Sequence, residues 1–389
     1  MAHLHVDADA VFVGSGIGVL GRSLIEGIVQ GYPSLQLTAH FSRNHPRTPW
    51  LDSMRHFDNF HVKVLALSRR QRNASELFGL PTGPRVEKTD DAAILYLYPR
   101  VARRTKVRQF CIVHDLSSLR EPSRSSVPWH GSVLLWRSLR GCLSHRVIPI
   151  AASQFTRDDL ASYLHRTPND IHYIYQGLDS AWFAPPAIEE NRRVKAKYSL
   201  PARYFAWCGD VNPRKNVDTL LRAYAIARAS MAELPPIVLV GGGKQDITPL
   251  IRDLGISESL IRLPFLPLSD LVAVISGCTA FVFPSWYEGF GRPAVEAAAR
   301  GVPVIVSSSG SLPEIAGPAA SVVSPLDAHA LAEAMVQTAT DDRLTERASQ
   351  LGPTWASRFC IDRMCSEYVT ALFPEFSNKH ETAQTDAGT

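Results

Sequence analysis

Short apolar runs alternate with amphipathic segments along most of the chain. In the first half the apolar runs lie at residues 10–14, 35–41, 61–67, 94–99, 109–115 and 146–151, and the rhythm returns at 204–209, 236–243, 261–266, 279–283 and 302–309. Runs rich in β-branched and aromatic residues between turn signals predict strands, whereas amphipathic segments predict helices. Strand and helix in alternation predict parallel sheets that helices cover on both faces.

Prolines and charged residues interrupt this alternation of strand and helix patterns around residues 178–202. We therefore predict an α/β chain of two tandem doubly wound, Rossmann-like domains, residues 1–177 and 203–353, joined by a linker at 178–202. A ligand is expected between the domains, at the carboxyl ends of the strands. The pattern of residues 354–374 predicts a last amphipathic helix, the C-terminal crossover helix. The composition of residues 375–389 predicts a disordered tail.

Composition and charge narrow the class of protein. Hydrophobic residues make up 45% and charged residues 20% of the chain, as in an ordinary globular protein. A net charge of +4 is too weak by itself to indicate a nucleic-acid partner, because the electrostatic signature of such a partner is a clustered basic patch. The six cysteines lack metal-ligand spacing, the N-terminus has acids where a signal peptide carries lysines, and no apolar stretch reaches the roughly 18 residues of a membrane span. We expect reduced thiols and a cytoplasmic location.

Two acids flank a glycine loop in the sequence FPSWYEGFGRPAVEAAARGVPV, residues 283–304. Glu288 precedes the glycines, and we place Glu296 in the first turn of the helix that Pro293 helps to begin. A helix N-terminus after such a loop suits a diphosphate, and ionised acids beside it are strong acceptors for neutral hydroxyls. The two acids are equally explained as a loop acid and a partner of the helix dipole, so both interpretations stay open for this motif alone.

A second anion site is predicted in the same domain. In the sequence CGDVNPRKNVDTLL, Arg214 and Lys215 follow the first strand of the domain and stand before a helix for which Asn216 is the candidate N-cap. An isolated pair of this kind is commonly a solvated turn. Two such turns in one domain favour a phosphate-containing ligand.

The second domain resembles the nucleotide-sugar-binding half of retaining glycosyltransferases of family 4, the glycosyl transferases group 1. The resemblance covers roughly residues 204–335 and rests on GDVNPRKNVDTLLRAYA, LVGGG, FVFPSWYEGFGRPAVEAAARGVPVIVSSSGSLPEIAG and DAHALAEAM. The spacing of Glu288 and Glu296 is its most specific part. It implies a GT-B fold, with the active site in the cleft between the two domains.

The resemblance also implies roles for single residues. Lys215 and Arg214 would bind the donor diphosphate, Glu296 the ribose hydroxyls and Glu288 the hydroxyls of the donor sugar. Further contacts to the donor would come from Gly209, Gly289, Phe290 and Gly291. Asp210 departs from the family pattern, because many members carry an arginine near that position, and we expect Arg214 to supply the charge instead.

In the first domain the resemblance rests on GSGIGVLGRSL, residues 14–24, and on CIVHDLSSLREP and VIPIAASQFTRDDL. Gly16 and Gly18 are expected to let the backbone approach the reacting sugar; a dinucleotide fingerprint would need a different glycine spacing. His114 is expected to hydrogen-bond the donor sugar or the departing oxygen, although a lone histidine after a strand is often structural. The predicted catalytic residues are therefore His114 together with Glu288, Lys215 and Arg214.

The sequence offers one candidate metal-binding pair. Asp7 and Asp9 offer the Asp-x-Asp pair of metal-dependent glycosyltransferases of another fold, but such a pair follows a strand, and we place both acids before the first strand at 10–14. No metal and no other cofactor is expected.

Basic clusters lie at 68–72, 100–108 and 134–141, the last with Trp136. They are either solvated loops with one buried amphipathic helix or a surface for an anionic membrane.

Taken with the resemblance, the sequence predicts a retaining, metal-independent glycosyltransferase that moves a hexose from a GDP- or UDP-linked donor to a glycan acceptor, which is expected to be lipid-linked. GDP-mannose is the expected donor, and bacterial exopolysaccharide or O-antigen biosynthesis is the expected setting. A nucleotide-sugar 2-epimerase of the same fold and a non-catalytic sugar-nucleotide-binding subunit are the alternatives.

Overall fold

The structure is a computed structural model that describes residues 2–14, 16–87, 89, 91–125, 127–144, 147–185 and 188–379. The chain divides into two compact units. The first consists of Met1–Leu119, Val127–Gly177 and the chain from Ile361 onward, and the second of Arg120–Ser126 and Leu178–Cys360. No helix in the described ranges is long and apolar enough to cross a membrane.

The first unit is built on a parallel sheet with helices against it. Its elements are β1 (His3–Asp7), α1 (Gly16–Gly31), β2 (Gln36–Arg43), α2 (Pro49–Met54), β3 (Phe60–Ser68), α3 (Arg69–Leu77), β4 (Ala92–Tyr96), β5 (Arg108–Val113), α4 (Ser117–Arg120), α5 (Trp129–Ser144), β6 (Val147–Ala151), α6 (Gln154–Leu164) and β7 (His172–Tyr173). The strand order is β3-β2-β1-β4-β5-β6-β7. The order therefore reverses between β1 and β4, where a doubly wound sheet opens a crevice at the carboxyl ends of its strands.

The first strand is His3–Asp7 and not residues 10–14, so that prediction was wrong. Residues 10–14 lie in the 3-10 helix Asp9–Phe12 and the turn after it. In the strand, Leu4 and Val6 are fully buried, and the histidines between them are half-buried on the opposite face. The sequence alternates with the period of a strand, but the two histidines hide the apolar signal.

The second unit is also built on a parallel sheet. Its elements are α7 (Ile188–Lys197), β8 (Phe205–Val211), α8 (Val217–Ser230), β9 (Ile237–Gly243), α9 (Thr248–Asp253), β10 (Leu260–Leu263), α10 (Leu268–Ser276), β11 (Ala280–Phe283), α11 (Arg292–Ala299), β12 (Val304–Ser307), α12 (Leu312–Ile315), β13 (Ser321–Val323), α13 (Ala328–Thr340) and α14 (Asp342–Ala356). The strand order is β10-β9-β8-β11-β12-β13. All the other predicted strands are confirmed, and helix α7 occupies part of the segment that we expected to be a linker.

The C-terminal part of the chain differs from the single helix expected at 354–374. Helix α14 ends at Ala356, a 3-10 turn follows at Ser357–Phe359, and α15 (Ile361–Leu372) then packs against α1 in the first unit. Pro374–Lys379 form a 3-10 helix where a disordered tail was expected to begin, and the rest of that expected tail, 380–389, lies outside the described residues.

Candidate functional site

The site residues predicted in the second unit lie at the end of β8 and after β8 and β11, which are neighbours in the sheet. β8 leads into the 3-10 turn Pro213–Lys215, and β11 leads into the loop that ends at Gly291. The strand order reverses between these two strands. Their carboxyl ends therefore open the kind of crevice in which doubly wound sheets bind ligands.

Glu288 is buried and held by two cations of the neighbouring turn. Its Oε1 accepts a 2.8 Å hydrogen bond from Lys215 Nζ, and its Oε2 lies 2.9 Å from Arg214 Nη1. Arg214 Nη1 also donates to the carbonyl of Tyr287 at 2.7 Å. Burial works against the charge of the carboxylate, but Arg214 and Lys215 outweigh it and lower the pKa of Glu288 to about 2. Glu288 is therefore ionised at neutral pH.

An aromatic ring packs against the buried ammonium group of Lys215. Its Nζ lies 4.5 Å from the centre of the Phe283 ring, and its backbone N–H donates to the side chain of Asn212 at 3.3 Å. Burial lowers the pKa of Lys215, with Arg214 acting in the same direction and Glu288 against both. Two cations share one carboxylate, so the cluster carries a net charge of +1 and favours a further anion.

Asn216 connects the basic turn with the acidic loop. It takes the left-handed conformation (φ 54°) directly before α8, so its predicted cap position is confirmed, but its side chain makes no capping hydrogen bond. Instead, Nδ2 donates to the carbonyls of Pro284 at 3.0 Å and Pro325 at 2.9 Å. The sequence indicated the cap and missed this bridging role, because the two acceptors are distant in the chain.

The backbone of the Glu288 loop is held by residues after β12 that sequence reasoning did not single out. The N–H and the Oγ of Ser311 both donate to the Glu288 carbonyl at 3.0 Å, and the Oγ also donates to the Phe290 carbonyl at 2.8 Å. A Cβ on Gly310 would lie 2.6 Å from the Glu288 nitrogen. The signal was the glycine-serine pair in SSSGSLPE, which lies inside the stretch that carries the family resemblance.

Glu296 lies deeper in helix α11 than the sequence indicated. The helix begins at Arg292, so Glu296 is its fifth residue and its first turn contains no acid. The carboxylate is buried and its Oε1 lies 3.4 Å from Arg292 Nε. Burial raises the pKa of Glu296, although Arg292 acts against this. The helix dipole acts within the first turn, so it does not account for this acid.

The other predicted donor contacts are glycines and one aromatic residue around the same two loops. Gly209 (φ 145°) and Gly291 (φ 88°) have backbone conformations that side chains disfavour, and Gly289 lies between Glu288 and Phe290 in the acidic loop. The Phe290 ring is buried edge-on against Phe359, 5.6 Å away, so its side chain serves the core. Asp210, the departure from the family pattern, is exposed at the end of β8.

In the first unit, Gly16 begins helix α1 and Gly18 lies in its first turn. A Cβ on Gly18 would lie 1.9 Å from the Val13 carbonyl oxygen, so close packing of the helix on its own loop explains this glycine. His114 follows β5, and its Nε2–H donates to the Leu97 carbonyl at 2.8 Å. Its buried Nδ1 has no partner in the part of the chain that the structure describes, and burial lowers the pKa of His114, which keeps the ring neutral.

Asp7 is the last residue of β1 and Asp9 begins the 3-10 helix after it, so the prediction that both acids precede the first strand was wrong. Both are buried with Arg72, whose Nη1 lies 2.6 Å from Asp9 Oδ2 and whose Nη2 binds Asp7 Oδ2. Arg100 lies 3.8 Å from the Asp7 carboxylate and 3.6 Å from that of Asp9. Arginines of the clusters at 68–72 and 100–108 thus neutralise this acid pair, so these clusters are not simply solvated loops.

The chain is similar in sequence and in fold to known proteins. Residues 188–355 match the family model of the glycosyl transferases group 1. The chain is 29% identical over 318 residues to O-antigen chain mannosyltransferase B of Escherichia coli, which covers 80% of this chain and 83% of that protein. It is 35% identical over 161 residues to the serotype-specific mannosyltransferase WbdA of Escherichia coli, which covers 40% of this chain but only 20% of that longer protein.

The structure is similar to that of Anabaena Alr3699/HepE in complex with UDP and glucose, with a TM-score of 0.69 over 96% of this chain and 99% of that one. The two sequences are 15% identical, so this likeness concerns the fold alone. That fold is GT-B, with two Rossmann-like halves. Residues 188–355 therefore form a domain of the glycosyl transferases group 1, and with the similarity to mannosyltransferases the chain is a glycosyltransferase.

Proposed function

We propose that the chain is a retaining, metal-independent glycosyltransferase of family 4 that transfers mannose from GDP-mannose to a lipid-linked glycan acceptor. The observation that carries this proposal is the buried cluster of Glu288, Lys215 and Arg214 at the point where the strand order reverses. The names of the two relatives support mannose as the sugar and O-antigen or exopolysaccharide assembly as the setting.

The cluster suits the departure of a diphosphate. When the bond between the anomeric carbon and the donor oxygen breaks, its electron pair stays on the diphosphate, which becomes more negative. Lys215 and Arg214 are already desolvated and oriented, so they stabilise this charge without further reorganisation. The ionised Glu288 is suited to accept hydrogen bonds from sugar hydroxyls, and Glu296 from the ribose.

Metal independence is proposed for a chemical reason. A divalent cation at a departing diphosphate supplies positive charge, and Lys215 and Arg214 supply it here from the protein. The Asp-x-Asp pair is bound by Arg72 and Arg100, so the charge of its carboxylates is already balanced by arginines.

We assign His114 to the donor sugar through its Nδ1, which accepts a hydrogen bond when the ring is neutral.

We place the enzyme in the cytoplasm, at the inner face of the plasma membrane. The reason is chemical. Nucleotide sugars are polar and charged, whereas a lipid-linked acceptor is held in the bilayer, so the transfer has to take place where both are accessible.

The test offers the purified chain GDP-mannose, UDP-glucose, UDP-galactose and UDP-N-acetylglucosamine, each with a lipid-linked oligosaccharide acceptor. We expect nucleotide release and product with GDP-mannose, and an anomeric configuration equal to that of the donor by NMR. Inversion contradicts the retaining assignment, and turnover of UDP-sugars alone contradicts the donor. Conversion of the donor to its 2-epimer identifies an epimerase, and binding without turnover identifies a non-catalytic subunit.

A further inference from the structure

Two tryptophans of the first unit face solvent on one side of α5. Trp129 is 77% exposed and Trp136 38% exposed, whereas Leu135 and Leu139 of the same helix are buried. Trp129, Val133 and Trp136 are spaced by four and three residues, which places them in one stripe along the helix. The helix therefore has a second apolar face, besides the one that packs into the unit.

Two further exposed apolar residues lie directly after α3, a helix that packs against α5. Phe78 is 81% exposed and Leu80 58% exposed. Gly79 between them lies beside α5, because a Cβ at that position would be 3.6 Å from Arg137 Nη1. Arg137 is the neighbour of Trp136 in the sequence. We call the five residues Phe78, Leu80, Trp129, Val133 and Trp136 the aromatic patch.

The exposed charges of α3 and α5 are positive. Arg69 and Arg70 are exposed at the start of α3, and the guanidinium of Arg140 lies 4.9 Å from the centre of the Trp136 ring. Helix α5 contains no acid, and Glu76, the acid of α3, is buried in an ion pair with an arginine. Indole rings favour the boundary between headgroups and acyl chains, and arginines beside them favour anionic headgroups.

We infer that the aromatic patch docks the first unit on an anionic lipid bilayer, with α5 lying in the plane of the interface. The inference deepens the proposed function and rests on it for one point, namely that a lipid-linked acceptor would be held in the same bilayer. The competing occupant is a second copy of this chain. Two identical patches with positive surroundings repel each other, so the charge favours the lipid surface.

The test is co-sedimentation of the full chain with vesicles of phosphatidylcholine that contain phosphatidylglycerol, compared with vesicles of phosphatidylcholine alone. We expect the wild type to bind the anionic vesicles. For Trp129→Ser the partition coefficient should decrease about tenfold, because the variant has no indole ring at this position to transfer from water into the lipid interface. Leu326→Ser is the matched control, since Leu326 is also 77% exposed but lies in the second unit. Phe78→Ser should weaken binding as Trp129→Ser does, and melting temperatures establish that all three variants are folded.

Unchanged vesicle binding of Trp129→Ser and Phe78→Ser overturns the inference, and so does equal binding of the wild type to neutral vesicles. A concentration-dependent dimer in sedimentation velocity that Trp129→Ser abolishes assigns the patch to a second copy and overturns it as well. Nucleotide release from GDP-mannose is measured in parallel in solution. Its absence in the wild type contradicts the proposed function, whereas the vesicle assay tests the surface alone.

Discussion

Lys215 Nζ lies 2.8 Å from Glu288 Oε1, although 73 residues separate the two in the chain. The pair joins the turn after β8 to the loop after β11, so a cation and an acid with separate predicted roles are direct partners. Arg214 binds the second oxygen of the same carboxylate. An arriving diphosphate therefore has to share or replace Glu288 as the partner of these cations.

Replacing Glu288 should affect binding and turnover in opposite directions. In Glu288→Gln the two cations lose their only shared counter-charge within the cluster, so we expect tighter binding of free GDP and a lower turnover number, since the sugar is no longer held by a carboxylate. The ligand-free protein should lose up to about 3 kcal/mol of unfolding free energy. Calorimetry, steady-state kinetics and melting temperatures check this, with exposed Glu333→Gln as the control. A variant with unaltered kinetics would mean that Glu288 serves the loop structure only.

Removing the lysine tests the phosphate assignment. Lys215→Ala should weaken binding of GDP by about 1.5 to 3 kcal/mol, because a charge-assisted contact is lost, which is roughly a 10 to 150-fold effect. Arg252→Ala removes an exposed cation of the same unit and should leave the affinity unchanged. Equal GDP affinity in Lys215→Ala and the wild type, measured by calorimetry, contradicts a diphosphate at this turn.

Glu296 should respond to pH because burial raises its pKa. The ionised acid accepts hydrogen bonds from the ribose, so donor affinity of the wild type should fall as the pH falls from neutrality through the raised pKa. Glu296→Gln should bind GDP and donor about 1 to 3 kcal/mol more weakly at neutral pH, with a smaller change in turnover at saturating donor. In Glu296→Gln the donor affinity should not decline as the pH is lowered. Donor affinity measured across pH for both proteins decides between ribose binding and a purely structural acid.

Activity should persist in excess EDTA, because Lys215 and Arg214 provide the positive charge at the departing diphosphate. The measurement is the initial rate of nucleotide release with and without chelator, followed by addition of manganese or magnesium. Complete loss with EDTA that either metal restores would contradict the proposal. Lys215→Ala is informative in the same assay, since added metal should not restore its rate.

The first unit should become less stable in mild acid because of His5 and His40. Burial lowers the pKa of His5 to about 3 and that of His40 to about 4, with Lys63 and His3 contributing to both shifts. Below the ordinary histidine pKa of about 6.5 the unfolded chain binds protons that the folded chain does not, so the unfolding free energy falls as the pH drops from about 6.5 toward 4. For the buried His40 the slope approaches about 1.4 kcal/mol per pH unit.

Denaturant unfolding at pH 7 and pH 5 checks this expectation. The loss of unfolding free energy between the two pH values should be smaller in His40→Gln than in the wild type. His56→Gln is the matched control, because that histidine is exposed and its replacement should leave the pH dependence unchanged.

The local order of strands, turns and helices could be predicted from the sequence, because periodicity and turn chemistry act over a few residues. The loop with Glu288 and the turn with Lys215 belong to this class. The failure at β1 has a local cause too. His3 and His5 alternate with Leu4 and Val6, and a face that is lined by half-buried polar side chains does not look like a strand in the sequence.

Only the tertiary structure decided which groups meet. The amino-acid sequence determined a parallel α/β chain with two acids and two cations at the ends of strands, because each of these signals is contained within one element. The pairing of Lys215 with Glu288 depends on β8 and β11 becoming neighbours across 73 residues. In the same way, helical spacing does not distinguish a tryptophan in the core from one at the surface, and Trp129 is exposed because the helix turns Leu135 and Leu139 inward. Burial and long-range pairing are properties of the packed chain, and no local pattern encodes them.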